Sequence, residues 1–150
     1  MSACDILVIA NLNMDLILEQ KNSQQTSRKR YADSFTLSPG GNGYNEAVAA
    51  ARMGATVALA GMIGSDSFGA QLKASLNEEI TDSQLVRVVP GSSGLSLILS
   101  SAGQENIYWD IVGANACLDE EYIRGLESHI AKVKPVSYTH LRAHETLSDL

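Results

Sequence analysis

A glycine-rich turn runs directly into a helix of small residues in residues 38–55, which read SPGGNGYNEAVAAARMGA. Glycines at 40, 41 and 43 allow positive φ angles and let the backbone approach a ligand where a Cβ would intrude. Alanines at 47 and 49–51 favour a helix with a narrow face that packs closely against a sheet. Because the side-chain amides of Asn42 and Asn45 stand at the junction, the stretch predicts a site for a polar ligand.

The composition limits the class of protein and of partner. The chain has 150 residues, of which 45% are hydrophobic and 19% charged, as in one ordinary globular domain. The formal net charge of −6 argues against a nucleic-acid footprint or an anionic membrane surface. Cys4 and Cys117 form neither a metal motif nor a disulfide framework, and no run is long enough to span a membrane. We therefore expect a cytoplasmic protein that binds a small molecule, not nucleic acid or a membrane.

Strand and helix patterns alternate along the chain. Continuous apolar runs predict buried strands over 4–10 and 56–63. Shorter extended segments are predicted over 15–19, 31–37, 85–89, 95–100 and 106–112. Helices are predicted over 67–78, capped by Ser65 or Ser67, and from Asp119 to about Val133. The alternation predicts a parallel sheet covered by helices, with neighbouring short strands forming a small β flap.

Four motifs follow one another at spacings that resemble the PfkB-type carbohydrate kinases, the ribokinase family. They are Asn13-x-Asp15, Gly40-Gly41-Asn42-Gly43-x-Asn45, Gly61-x-x-Gly64-x-Asp66-x-x-Gly69 and Gly113-Ala114-Asn115-Ala116. The resemblance extends from about residue 4 to about residue 133. It implies a ribokinase-like α/β sandwich with a parallel sheet and a small β-sheet lid, here truncated. Residues 1–134 would be the N-terminal part of the kinase domain, with lid strands at about 15–38 and 94–112.

The resemblance also implies a sugar site. A sugar presents vicinal hydroxyls that both donate and accept, and carboxylate and amide side chains can match them. The substrate-binding residues implied are Asn13, Asp15, Gly40, Gly41, Asn42, Asn45 and Asn115. Asn42 stands where members closest to ribose commonly carry lysine, and Tyr44 where they carry a small residue. These two departures predict a pocket that loses a cation and gains a ring, which disfavours ribose.

The activity implied is transfer of the γ-phosphoryl group of ATP, with Mg²⁺, to a sugar hydroxyl. The family's aspartate base follows a Gly-Ala-Gly-Asp turn, which this chain lacks, so we expect no catalytic residue here and a base in the missing C-terminal half. The chain alone is then inactive. Lid strands with an unpaired edge are natural association surfaces, so a homodimer through the lid is also expected.

The end of the chain departs from the family. Residues 135–150 do not resemble the apolar strand expected next, and residues 136–146 resemble a peptide found at the ends of unrelated truncated translations. We interpret 135–150 as a non-native tail and exclude it from the fold. His140 and His144 could share a helical face for a metal, but Pro135 and the missing amphipathic pattern favour no metal site.

Three other interpretations stay open. A dinucleotide-binding fold would use the glycine turn, although Glu46 stands where a third glycine is needed. A non-catalytic sugar-binding or dimerising module is the alternative to a kinase half. Finally, the basic residues of the lid loop could contact an anionic sugar, although a solvated loop is the simpler interpretation. These residues are Lys21, Arg28, Lys29 and Arg30.

Overall fold

Two four-stranded sheets organise the chain in a computed structural model that describes residues 4–21, 29–133 and 136–139. The strands of the main sheet are β1 (Ile6–Ala10), β4 (Val57–Gly64), β5 (Asp82–Val89) and β8 (Val136–Thr139). They are parallel and lie in the order β5-β4-β1-β8. The strands of the lid sheet are β2 (Asn13–Gln20), β3 (Ser34–Gly40), β6 (Gly94–Ser101) and β7 (Ile107–Ile111). They lie in the order β3-β2-β6-β7, with β2 and β6 parallel and the outer pairs antiparallel.

Helices cover both faces of the main sheet. They are α1 (Asn42–Arg52), α2 (Ser67–Glu79), a 3₁₀ helix (Gly113–Cys117), α3 (Glu120–Arg124) and α4 (Glu127–Ile130). Side chains alternate along a strand, so Leu7 and Val8 of β1 point to opposite faces. Val8 packs with the core residues of α1 and α2, whereas Leu7 packs with the segment from the 3₁₀ helix onward. The predicted α/β sandwich with a lid is confirmed, and burial on both faces explains the continuous apolar runs.

Local boundaries differ from the predictions in three places. The cap of α2 is Asp66, whose carboxylate accepts the Gly69 N–H at 2.8 Å, and neither predicted serine. The helix predicted from Asp119 to Val133 is instead two short helices, because α3 ends at Arg124, just before Gly125, which is a weak helix former. The strand predicted over 31–37 begins at Ser34 and continues through Pro39. Proline is tolerated there because β3 is an edge strand.

The start of the predicted tail takes part in the fold. Val136–Thr139 pairs in parallel with β1, in the register Leu7 with Val136 through Ala10 with Thr139. We expected no strand here. Its Val-Ser-Tyr-Thr sequence suits a strand, and the backbone of β1 is completed on its second side by this pairing. Residues 140–150, with the His140 and His144 pair, lie outside the described residues, and the non-native origin of 135–150 stays a prediction.

No helix in the described ranges is long and apolar enough to cross a membrane.

Candidate functional site

A cavity of about 550 Å³ lies between the lid sheet and the start of α1. Six of the seven predicted site residues line it, from segments far apart in sequence. These six are Asn13, Asp15, Gly41, Asn42, Asn45 and Asn115. The remaining lining residues are Asn11, Gly43, Ser96, Ile98, Tyr108, Asp110, Ile111 and Val112. The fold therefore brings together side-chain amides and carboxylates on one concave surface, as a polar ligand requires.

Strand β2 and helix α1 place the predicted polar groups by their periodicities. Asn13 and Asp15 are two residues apart on β2 and so point to the same face of the lid. Asn42 and Asn45 are three residues apart on α1, which puts them on neighbouring positions of one helix face. Both asparagines of α1 are exposed, so their amides are accessible from the cavity.

The two glycines before α1 have different roles. Gly41 has φ 96°, and a Cβ on it would lie 2.8 Å from the Asn11 carbonyl oxygen, so only glycine fits this turn. Gly40, the seventh predicted site residue, is buried and does not line the cavity. A Cβ on Gly40 would collide with the Asp15 carboxylate. Gly40 therefore makes room for the Asp15 carboxylate. The sequence analysis predicted that Gly40 contacts a ligand, whereas the structure places it behind Asp15.

Asp15 is a carboxylate whose charge the fold opposes. Burial raises the pKa of Asp15, the Gly41 backbone N–H hydrogen bond lowers it, and the charge of Asp110 raises it further. The net direction is upward from the ordinary value near 3.8. A ligand that donates hydrogen bonds to Asp15 would relieve this unfavourable burial of charge.

Asn115 joins the lid to the main sheet. Its Oδ1 accepts the Leu12 backbone N–H at 2.9 Å, and its Nδ2 donates to the Leu12 carbonyl at 3.3 Å and to Asn13 Oδ1 at 2.8 Å. Asn115 is 5% exposed, so these bonds are made away from water. Gly94 leaves space for the pair, because a Cβ there would collide with Asn13 Oδ1 and Asn115 Nδ2. Asn115 therefore fixes the orientation of the Asn13 amide.

Two polar residues of the lid complete the site and were missed by the sequence analysis. Ser96 Oγ donates to Asp110 Oδ1 at 2.5 Å and accepts from Asn13 Nδ2 at 3.4 Å. The hydrogen bonds thus run from Asn115 through Asn13 and Ser96 to Asp110, across three lid strands. The available signal was a polar residue between large apolar ones, since Ser96 stands between Leu95 and Leu97, and Asp110 between Trp109 and Ile111.

The third motif is a structural anchor outside the cavity. Asp66 accepts the Ser93 backbone N–H at 2.9 Å and the Ser93 hydroxyl at 2.7 Å, and Ser93 Oγ in turn accepts the Gly64 N–H at 3.0 Å. Burial alone would raise the pKa of Asp66, but the hydrogen bonds from Ser93 and Gly69 outweigh it and hold that pKa below its ordinary value. Because Ser93 immediately precedes β6, this motif fixes the lid strand to the start of α2.

Tyr44 corrects a prediction made from the family departures. It does not add a ring to the pocket, since its side chain is 6% exposed and lies in the core between α1, α2 and the main sheet. Its hydroxyl makes a 2.5 Å hydrogen bond with Ser75 Oγ of α2. Asn42, two residues earlier, does line the cavity, and so only one of the two departures changes the site.

The basic residues of the lid loop lie away from the cavity, as far as they are described. Arg30 lines a separate apolar depression with Leu18, Leu97 and Trp109, on the other face of the lid. Lys29 lies over the Tyr31 ring, 5.1 Å from its centroid. Neither they nor Lys21 line the polar cavity, and Arg28 is outside the described residues. Among residues 4–21, 29–133 and 136–139, no three His, Cys, Asp or Glu side chains form a metal site.

Comparisons with known proteins agree with the geometry. The sequence matches the pfkB family carbohydrate kinase profile over residues 4–146. It is 31% identical over 128 residues to the ribokinase of Haemophilus influenzae, covering 85% of this chain and 42% of that protein. The ribokinase structure of Giardia lamblia superposes with a TM-score of 0.82 at 25% identity, over 93% of this chain and 42% of that one. A Cryptococcus neoformans ribokinase in complex with ADP gives a TM-score of 0.66 at 29% identity, over 75% of this chain and 36% of that one. The chain thus spans less than half the length of each.

Proposed function

Because the chain belongs to the pfkB family of carbohydrate kinases, we propose that it forms the sugar-binding half of an enzyme that phosphorylates a sugar hydroxyl with ATP. The observation that carries this proposal is the convergence of Asn13, Asp15, Asn42 and Asn45 on one cavity. Asn13 and Asp15 lie on β2 and Asn42 and Asn45 lie on α1, with strand β3 between the two elements in sequence. A sugar is the ligand class that needs many matched donors and acceptors in so small a volume.

The arrangement suits a polyol that lies between lid and helix. Asp15 accepts hydrogen bonds from two vicinal hydroxyls, and its raised pKa makes such donors favourable. Asn13 is already oriented by Asn115, so little side-chain entropy is lost when a hydroxyl binds to it. Asn45 offers a donor and an acceptor from the opposite side. The positioned hydroxyl would then be held for transfer, which is most of what phosphoryl transfer asks of the protein.

ATP and Mg²⁺ would be held outside these residues. A triphosphate needs a surplus of positive charge, but the cavity lining contains two aspartates and neither lysine nor arginine, and the partial positive charge at the start of α1 is too small to offset two carboxylates. The lining therefore fits a sugar and does not fit the nucleotide phosphates. We place the nucleotide site, the base and the metal in sequence beyond this chain, and expect residues 1–150 alone to be inactive.

Titration calorimetry with neutral pentoses and hexoses tests the sugar site. Asn45→Ala should weaken binding about tenfold, the equivalent of one hydrogen bond of about 1.4 kcal/mol. Asn77→Ala is the control, because Asn77 is exposed on α2 and does not line the cavity. Sugar phosphate should form with ATP only when the chain is joined to the C-terminal half of a family kinase. No binding of any sugar, or tight NADH binding that no sugar alters, would contradict the proposal.

The face of the lid sheet that points away from the cavity is apolar and exposed. It exposes large apolar side chains, among them Phe35 at 68% and Trp109 at 53%. Ile107 is also exposed, at 44%, and this face is too apolar to be left in water without cost. We propose a homodimer through this face, measurable by light scattering, and Trp109→Ser should shift the mass to that of a monomer. A wild-type mass of 16.0 kDa at micromolar concentration would refute it. The cytoplasmic location stays a prediction.

A further inference from the structure

Two carboxylates face the cavity from the same row of the lid sheet. In the strand register, Asp15 of β2 lies opposite Ser96 of β6, and Ser96 lies opposite Asp110 of β7. Neighbouring strands are about 4.8 Å apart, so the two aspartates are separated by roughly 10 Å at their Cα atoms. This spacing leaves room for a sugar ring between the two carboxylates.

The serine between them does not neutralise the row. Ser96 has a single hydroxyl hydrogen, which it donates to Asp110 Oδ1. A carboxylate has about four lone-pair sites, so Asp110 keeps capacity to accept further hydrogen bonds after this one. The hydrogen bond also holds Asp110 in one orientation. The lid row therefore offers acceptors and negative charge to a ligand, whereas the donors must come from the ligand itself.

Positive charge near the cavity is too small to offset the two aspartates. The lining contains no lysine or arginine, and the described basic residues of the lid loop lie elsewhere. The start of α1 faces the cavity, and a helix N-terminus is equivalent to about half a positive charge. Two ionised carboxylates outweigh it. Burial is the main cause of the raised pKa of Asp15, and the charge of Asp110 raises that pKa further.

We propose that Asp110 is a specificity-determining residue, which accepts a hydrogen bond from a sugar hydroxyl and excludes anionic sugars from the site. This inference rests on the proposed sugar-binding function and adds the substrate class: neutral sugars, neither phosphorylated nor carboxylated. It argues against the hypothesis that the basic lid loop selects an anionic sugar, because the described basic residues of that loop, Lys21, Lys29 and Arg30, do not line the cavity. Like charges brought together at a binding surface are disfavoured, and because Asp110 is exposed on β7 this repulsion is weakened by salt.

Matched pairs of ligands test the inference in the wild-type chain. Glucose is compared with glucuronate, and ribose with ribose 5-phosphate, by titration calorimetry at low salt. We expect the neutral member of whichever pair binds to be preferred by at least about tenfold. Raising the salt concentration should narrow this preference, because screening weakens charge repulsion and leaves hydrogen bonds nearly unchanged.

The variant Asp110→Asn separates charge from shape, since it keeps the size and an acceptor oxygen. It should reduce the preference for the neutral sugar about tenfold, mainly by improving the affinity for the anionic one. Glu19→Gln is the matched control, because this substitution also removes one negative charge from the lid sheet, but Glu19 does not line the cavity. It should leave the preference unchanged.

The possible failures are distinguishable. If none of the neutral pentoses and hexoses binds the wild type, the proposed sugar site is wrong. If the wild type binds sugars but takes glucuronate or ribose 5-phosphate at least as tightly as the neutral sugar, the site stands and the role of Asp110 is refuted. An unchanged preference in Asp110→Asn refutes it equally. Should that variant not fold, the salt dependence of the wild-type preference decides alone, and its absence counts against charge exclusion.

Discussion

Replacing Asn115 by alanine is expected to lower the free energy of unfolding by about 3 kcal/mol. The side chain is 5% exposed and makes three hydrogen bonds, two of them to the backbone of Leu12, which is fully buried. Each buried polar group left unsatisfied costs about 1–3 kcal/mol. The Leu12 N–H and carbonyl would therefore contribute most of the loss, and the partly exposed Asn13 about 1 kcal/mol or less.

Urea denaturation followed by far-UV circular dichroism measures this loss. Asn77→Ala is the control, since Asn77 is exposed and its one described hydrogen bond, from Ser83 at 3.4 Å, is long. It should change the free energy of unfolding by less than about 0.5 kcal/mol. Sugar affinity should also fall in Asn115→Ala, because the Asn13 amide loses its fixed orientation. A loss of stability below about 1 kcal/mol would show that water or a backbone shift replaces the side chain, and would refute the reasoning.

The other predictions concern charge and space at the site. Asp66→Asn should destabilise the fold at neutral pH. Because the pKa of Asp66 is lowered in the folded state, its ionised form contributes stability above the unfolded pKa of about 3.9, and this stability is lost as the pH falls through the folded pKa. Equal losses of unfolding free energy at pH 7 and pH 2.5 would contradict the prediction. Asp15→Asn should instead stabilise the fold at neutral pH. Because the pKa of Asp15 is raised in the folded state, its ionised form destabilises the fold increasingly as the pH rises above about 3.9. The melting temperature of the variant should exceed that of the wild type at pH 7 and match it at pH 3, while sugar binding is lost. Gly40→Ala should weaken sugar binding and lower the free energy of unfolding by about 1–3 kcal/mol, because the added Cβ collides with the Asp15 carboxylate. Gly125→Ala, at the exposed end of α3, is the control and should have neither effect. Equal calorimetric affinities for sugar in the two variants would disprove the collision.

Much of the fold follows from local patterns. The apolar runs of β1 and β4, the alanine-rich α1 and the spacing of the four motifs led to the family, which is confirmed. Two of the boundaries that were wrong, the cap of α2 and the extent of β3, depend on partners elsewhere in the chain. The α2 cap is Asp66 because the same carboxylate also binds Ser93, and β3 extends to Gly40 because β2 offers a pairing partner as far as Asn13. Hydrogen bonds between residues far apart in the chain cannot be predicted from a short stretch of sequence.

The sequence alone determined which chemical groups are available. The first two motifs supply amide and carboxylate side chains, and glycines at 40, 41 and 43 allow positive φ angles in the turn. Only the tertiary structure decided which of those groups meet. Strand register set Asp110 beside Ser96 in the same row as Asp15, and helix phase turned Tyr44 into the core. The physical reason is that residue type fixes what a side chain can bind, whereas pairing and packing across the chain fix where it points.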